Sequence, residues 1–406
     1  MGRRVGLRKV RFHSRALDKH FEVERIIGEY HGKEKGPVLV FFGGIHGNEP
    51  SGVVALIEVV EELQRLKPNI KGSIYAITGN MYSLEKEQRY ESQDLNRIWT
   101  KEQILRIEKG EVTDANANVE EREQLELFHI GKEIFAKHEH QVYCIDLHTT
   151  SGPTVPFITL NDTLINRNFA TKFPIPVIIG IEEFLKGPLL SWVMEIGYPS
   201  LAFEAGEHNS IDSIKFHKAF VWLSLAYGGL ISKESVPEFD YHKNALTSSN
   251  PDLIRVFEVT FKYAIKPGEK FKMKPGFDNL QHVDKDQVLA ESSDGPILSP
   301  STGRVFMPLY QSQGEDGFFI TRIVSPFWLN LSATLRKIRF ESVLTLLPGV
   351  NRDIRDKHTL VVNKRVAKFL AIDIFHLLGY RTKERTEDSL RVSKREYDVR
   401  GVAKHQ

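Results

Sequence analysis

The chain has 406 residues, 41% hydrophobic and 27% charged, which is enough apolar material for a sizeable core and enough length for roughly two or three domains. Its 55 Lys and Arg against 53 Asp and Glu leave a net charge of +2, so no overall field points to nucleic acid or to an anionic membrane. The single cysteine, Cys144, excludes an intramolecular disulfide framework and any Cys-based zinc ribbon or iron–sulfur site.

Residues 1–21 are charged and lack an apolar h-region, so they read as an N-terminal extension and not as a secretory signal. The longest strongly apolar run, 220–231, is well short of the ~20 residues that a membrane span needs. A cytoplasmic protein with no membrane or nucleic-acid partner is expected, and a homo-oligomer is compatible with the sequence. From 22 to 235, strand-like and helix-like segments alternate. Residues 37–42 form a continuous apolar run ending in Gly43-Gly44, as in a strand buried on both faces. Residues 50–67 carry Val53, Leu56, Ile57 and Val60 at helical spacing, with Pro50 suited to the first turn. Further strands are expected at 72–79, 141–147, 156–160, 177–181 and 199–203, and helices at 120–137, 188–196 and 213–231. This alternation predicts an α/β layered domain, whose sites lie outside the carboxyl ends of the strands.

The pattern changes near residue 233. A polar stretch with Pro and Ser, 233–252, reads as a linker. Residues 250–345 are strand-rich with frequent turns and predict a β-rich capping domain. Within it, residues 288–305 resemble a biotinyl/lipoyl-type hairpin. The tip 291–296 has no Lys to modify, which makes a structural lid the expectation. Residues 346–406 read as a helical, basic tail with a helix at 366–378 and a solvated, charge-dense end.

Four segments carry chemistry. In G-G-I-H-G-N-E (43–49), His46 and Glu49 stand at i, i+3 between a strand and a helix, where imidazole and carboxylate can converge on one zinc ion. In D-L-H-T-T-S (146–151), Asp146 and His148 project from the same face of a strand end. His148 is there either a third ligand or a satisfied core histidine. In F-E-A-G (203–206), Glu204 emerges where an apolar run stops. It is either a carboxylate that takes a proton from water or a capping or ion-pair acid. In R-Y-E-S-Q-D-L-N-R (89–97), the two guanidiniums around Asn96 suit a substrate carboxylate and a developing oxyanion, or else a structural salt-bridge loop.

Taken in order, the four segments resemble the succinylglutamate desuccinylase/aspartoacylase family, relatives of the zinc carboxypeptidases, over roughly residues 22–232 and more loosely to 325. The resemblance implies a zinc-carboxypeptidase-like mixed sheet flanked by helices, followed by the smaller β-rich domain and the tail. It implies one Zn2+ per chain on His46, Glu49 and His148, with Glu204 as general base. Arg89 would polarise the scissile carbonyl, Asn96 and Arg97 would clamp a substrate carboxylate, and Asp94 could orient a ligand imidazole. The implied activity is hydrolysis of the amide bond of a small, carboxylate-bearing N-acyl amino acid. A metallocarboxypeptidase is the alternative, and a non-catalytic scaffold on the same fold is the third reading. Two features depart from the pattern. Between Leu185 and Glu204 the only cation is Lys186, where members acting on N-acetylaspartate carry an Arg. The Tyr expected from the second domain has only a loose counterpart in Tyr310.

Overall fold

A computed structural model of the chain describes residues 8–138, 142–247, 253–338, 344–354, 359–363, 366, 372–386 and 388–395. Expectations that reach into 1–7, 248–252, 367–371 and 396–406 lie outside the described residues.

The spine of the molecule is an eleven-stranded mixed sheet. From one edge it runs Ile26–His31, Lys71–Thr78, Glu34–Gly43, Val142–Thr150, Ser200–Glu207 and Phe157–Leu160. It continues through Val177–Ile179, Val256–Ala264, Asp316–Val324, Gly303–Phe306 and His282–Val283. Lys71–Thr78, Glu34–Gly43, Val142–Thr150 and Ser200–Glu207 are mutually parallel, so their carboxyl ends open on one side. Alternate residues of Glu34–Gly43 feed two cores. Leu39 and Phe41 pack with the helices Ser51–Leu66 and Ile211–Tyr227, whereas Val38, Val40 and Phe42 pack with Val119–His138 and Leu189–Glu195. Strand Val142–Thr150 is buried at every position, as a central strand covered on both faces must be. No helix among the described residues is long and apolar enough to cross a membrane.

Four expectations need correction. Residues 10–23 are not a loose extension. Val10–Ser14 and Lys19–Val23 pair as a hairpin whose Val10, Phe12 and Val23 are buried, an alternation hidden by the charged residues between them. The expected linker contains the helix Phe239–Thr247, which buries His242 and Leu246 on the stripe begun by Phe239. The β-rich segment expected as a cap is continuous with the main sheet. Val256–Ala264 pairs in parallel with Val177–Ile179 and so extends the main sheet, a non-local pairing that strand pattern alone cannot specify. Its hairpin, Val288–Ser292 with Gly295–Leu298, does form and joins Lys272–Met273 in a separate three-stranded sheet. Finally, the C-terminal region is not a helical tail. Its one described helix, Ile372–Leu377, accompanies a four-stranded antiparallel sheet of Val350–Arg352, Thr359–Asn363, Ser389–Lys394 and Tyr380–Arg385. Leu360, Val362, Leu390 and Val392 alternate into a small core, with Val361 and Arg391 at the positions between them.

Candidate metal and active site

The strand Glu34–Gly43 ends in a turn that only glycine fits at two places. Gly44 has φ +72°, and a Cβ on Gly47 would lie 2.0 Å from the Ser83 carbonyl carbon. The turn is stitched to its neighbours by Gly79 N–H donating to Gly43 O (2.8 Å), Asn80 N–H to Gly44 O (2.8 Å) and Gly47 N–H to Arg89 O (3.2 Å). It delivers His46 and Glu49 beside the end of Val142–Thr150. On the adjacent strand, Glu204 is the register partner of His148.

The resulting group is buried and polar. His46 Nδ1 lies 2.8 Å from Glu49 Oε1, and His148 Nδ1 lies 3.1 Å from Glu49 Oε2. The opposite ring nitrogens each meet a carboxylate. His46 Nε2 is 3.1 Å from Asp94 Oδ1, and His148 Nε2 is 2.7 Å from Asp146 Oδ2. One ligand atom from each of His46, Glu49 and His148 falls within 4.8 Å of the others. These donors fit a zinc ion. Two imidazoles turn Nδ1 toward a shared carboxylate, while a further carboxylate fixes each ring from behind.

The charges point the same way. Burial works against the His148 imidazolium, yet Asp146 and Glu49 hold its pKa well above the usual histidine range. Burial works against the Glu49 carboxylate, yet the two imidazoles hold its pKa well below the ordinary value. Such a pocket favours positive charge at its centre. Glu204 behaves oppositely. Burial, with Glu49 and Asp146 nearby, pushes its carboxyl up to about 8, and its Oε2 is buried without a hydrogen-bond partner among the described residues.

Arg89 stands over this group, donating to Asp94 Oδ2 through Nη2 (3.0 Å) and Nε (3.3 Å) and to Glu49 Oε1 through Nη1 (3.4 Å). Its loop is held from below by Glu120, which is fully buried. The Glu120 carboxylate accepts the backbone N–H groups of Glu91 (2.8 Å), Ser92 (3.0 Å) and Gln93 (3.3 Å). Asp94 Oδ1 also accepts Asn96 N–H (2.8 Å), starting the short turn Leu95–Arg97. Asn96 Oδ1 accepts Leu189 N–H (2.9 Å), and Arg97 Nη2 donates to Asp316 Oδ2 (2.9 Å).

His46, Glu49, Arg89, Asn96, Arg97, His148 and Glu204 all line one cavity of about 150 Å3, roofed by Met307, Leu309, Gln311 and Asp316 from the β-rich segment. Tyr310 does not reach it. Its hydroxyl is fastened to the backbone of Lys274 and Phe277, and its ring packs on Gly152. Lys186 is exposed and outside the cavity. The sequence offers one sign of Asp146, its two-residue spacing from His148 on the same strand face. Nothing local announced Glu120, His208 or Asp316. His208 Nδ1 is 2.7 Å from Thr149 Oγ1, and Thr149 N–H donates to Glu49 Oε2 (3.0 Å).

Comparison with known proteins follows the same segment. Residues 35–170 match the model of the succinylglutamate desuccinylase/aspartoacylase catalytic domain. Over 83 residues the chain is 29% identical to the curated succinylglutamate desuccinylase of Photorhabdus laumondii, a stretch covering 20% of this chain and 26% of that protein. Among solved structures it is similar to a succinylglutamate desuccinylase/aspartoacylase from Rhodobacter sphaeroides, with TM-score 0.53 and 15% identity over 78% of this chain and 94% of that one. It is also similar to the succinylglutamate desuccinylase of Vibrio cholerae, with TM-score 0.52 and 14% identity over 73% and 85% of the two chains. The product-bound ectoine utilization protein EutE (DoeB) of Ruegeria pomeroyi gives TM-score 0.50 and 16% identity over 72% and 86%. At these identities the structural likeness speaks for a shared fold. The chain is thus similar to the succinylglutamate desuccinylase/aspartoacylase catalytic domain over residues 35–170 and shares the fold of the solved structures of that description.

Proposed function

We propose that the chain is a zinc-dependent amidohydrolase that removes the acyl group from a small N-acylated amine or amino acid. One observation carries this reading: a buried His–Glu–His group shares a small cavity with the orphaned carboxyl of Glu204 and the guanidinium of Arg89. His46 and His148, through Nδ1, and Glu49, through its carboxylate, would hold the zinc. Asp94 and Asp146 keep the two rings in the tautomer that leaves Nδ1 free to bind. When bound, the metal supplies Lewis acidity to the amide carbonyl and a lowered pKa to a coordinated water.

The remaining work falls to the protein. Glu204 takes the proton of the attacking water and returns it to the departing amine nitrogen, a role suited to a buried carboxyl whose Oε2 has no hydrogen-bond partner among the described residues. Arg89, fixed by Asp94, offers N–H donors to the oxygen on which negative charge develops. The roof from the β-rich segment limits the cavity to small molecules, which supports a deacylase over a carboxypeptidase. The one cysteine, Cys144, is buried, which is compatible with a cytoplasmic setting.

Elemental analysis with turnover of N-acyl amino acids tests the proposal. The zinc-loaded protein should hydrolyse the amide, and His46→Ala should lose zinc. Glu204→Gln should keep zinc while turnover falls by ~10²–10⁴. Full zinc content in His46→Ala, or unchanged turnover in Glu204→Gln, refutes the assignment.

A further inference from the structure

The cavity runs away from the metal ligands along the face of the sheet. Ser200–Glu207 and Phe157–Leu160 are antiparallel, with Glu204 opposite Phe157 and Ala202 opposite Thr159. Alternate residues of a strand share a face, and Glu204, Ala202, Ser200, Thr159 and Asn161 all line the cavity. From Glu204 to Ser200 this floor spans roughly 13 Å at ~3.3 Å per residue, and the small side chains of Ala202 and Ser200 leave a slot along it. Val177–Ile179 runs parallel to Phe157–Leu160, with Ile178 opposite Thr159, so the turn Ile181–Glu183 that follows it lies beside Asn161 at the far end. Glu182 lines the cavity there. The helix Leu189–Glu195 walls the slot with Leu190 and Ser191, and its Leu189 N–H donates to Asn96 Oδ1 (2.9 Å). The slot therefore adjoins the Asn96–Arg97 end of the cavity, where a substrate carboxylate is expected.

Glu182 is buried yet unmet. Its side chain is 1% exposed, and neither carboxyl oxygen has a hydrogen-bond partner among the described residues. Arg395 Nε lies 2.8 Å from Oε1, an ion pair without hydrogen-bond alignment, and the same guanidinium meets Glu183 (2.6 Å) and Asp162 (3.8 Å). In the same wall, Asn161 Nδ2 is buried without a partner among the described residues. Buried polar groups are ordinarily paired, and polar groups in the wall of a pocket fix the orientation of its ligand. We propose that Glu182 is a specificity-determining residue that accepts a hydrogen bond from an N–H group at the end of a long substrate side chain, so that the favoured amine part is an amino acid ending in an amide, urea or amino group. The inference rests on the hydrolase reading above and names the group that its substrate carries. Burial raises the Glu182 carboxyl while Arg395 draws it down, and either protonation form leaves an oxygen to accept. An amide or urea also offers its oxygen to Asn161 Nδ2, whereas an ammonium meets Glu182 alone. An alkyl end leaves both groups unmet.

The test titrates the zinc-loaded full chain calorimetrically with Nα-acetylcitrulline, Nα-acetyllysine and Nα-acetylnorleucine, whose side chains end in a urea, an ammonium and a methyl group. Turnover is measured on the same three compounds. Wild type should bind at least one donor-bearing compound about tenfold tighter than the norleucine compound, the scale of one hydrogen bond to a charged acceptor. The compound it favours separates a urea or amide from an ammonium. In Glu182→Met the preference should shrink to within about twofold while zinc is retained, because the acceptor is gone. Glu182→Leu repeats the measurement in case the first variant does not fold. Wild-type binding of the norleucine compound as tight as that of both others overturns the inference. So does a failure to bind any of the three, or a preference that survives both substitutions. An intact preference without turnover would count against the hydrolase reading alone.

Discussion

Glu120 offers a sharp test of how the Arg89 loop is held. Its carboxylate is fully buried and accepts three consecutive backbone N–H groups, one on Oε1 and two on Oε2, with Asn80 Nδ2 (3.3 Å) and Ser83 Oγ (3.4 Å) also on Oε1. Glu120→Gln preserves shape but turns one oxygen into an NH₂ group. If the amide nitrogen takes the Oε2 position, it faces the N–H groups of Ser92 and Gln93, donor against donor. Flipped, it loses Glu91, Asn80 and Ser83 instead. Hydrogen bonds to a charged acceptor contribute ~1.5–3 kcal/mol each, so losing two costs ~3–6 kcal/mol. Loop relaxation that admits water brings this toward the lower end. At 1.4 kcal/mol per decade, ~3 kcal/mol is ~10²-fold in the opening equilibrium of the loop. Hydrogen–deuterium exchange of residues 89–97 should therefore accelerate by about that factor in Glu120→Gln, with the distant strand Val350–Arg352 unchanged. Turnover should fall as Arg89 drifts, by at most the ~10²–10³ of a lost oxyanion donor. Exchange at residues 91–93 within about twofold of wild type would show that the carboxylate does not hold the loop.

Other outcomes follow from the same geometry. Asp146→Asn should weaken zinc binding ~10–100-fold in competition with a chelator, because the amide no longer fixes the His148 tautomer; unchanged affinity would remove Asp146 from the site. Asp162→Asn should lower stability by ~3–5 kcal/mol by urea denaturation, since its carboxylate joins the guanidiniums of Arg167 (2.6 Å) and Arg336 (2.8 Å) with Arg395 nearby (3.8 Å). Those arginines also hold the Asp162 carboxyl well below the usual range. The depressed folded pKa gives stability that is present above the unfolded value of ~3.9 and is lost as pH falls from ~5 toward the folded value. The melting temperature should decline more steeply with acid in wild type than in Asp162→Asn, and parallel declines would refute the assignment.

How much of this was legible in the sequence depended on whether the signal was local. His46, Glu49, His148 and Glu204 stand at the ends of buried runs, where strand periodicity and glycine turns already mark a sheet's carboxyl edge. The main strands and helices were legible for the same reason. The hold on the Arg89 loop was not, because Glu120 reaches residues 27–29 positions away and looks like any acid in a first helical turn. The clamp expected at Asn96 and Arg97 faced a similar limit. Residue type suggests a carboxylate partner, but only the fold reveals Asp316, 219 positions away, in contact with Arg97. The C-terminal strands were not legible because each apolar stretch is short, Leu360-Val361-Val362 in one and Leu390 and Val392 flanking Arg391 in the other, and charged sequence surrounds both.

The continuity of the eleven-stranded sheet has a mechanical consequence. The floor of the cavity, on Val142–Thr150 and Ser200–Glu207, and its roof, rooted in Asp316–Val324, belong to one hydrogen-bonded fabric joined at Val256–Ala264 and Val177–Ile179. Opening the two like jaws would tear the ladder that pairs Val256 with Val177 and Glu258 with Ile179. Strand register thereby sets the spacing of the frame, while Leu309 and Gln311 line the cavity from the segment between Gly303–Phe306 and Asp316–Val324, outside the ladder itself.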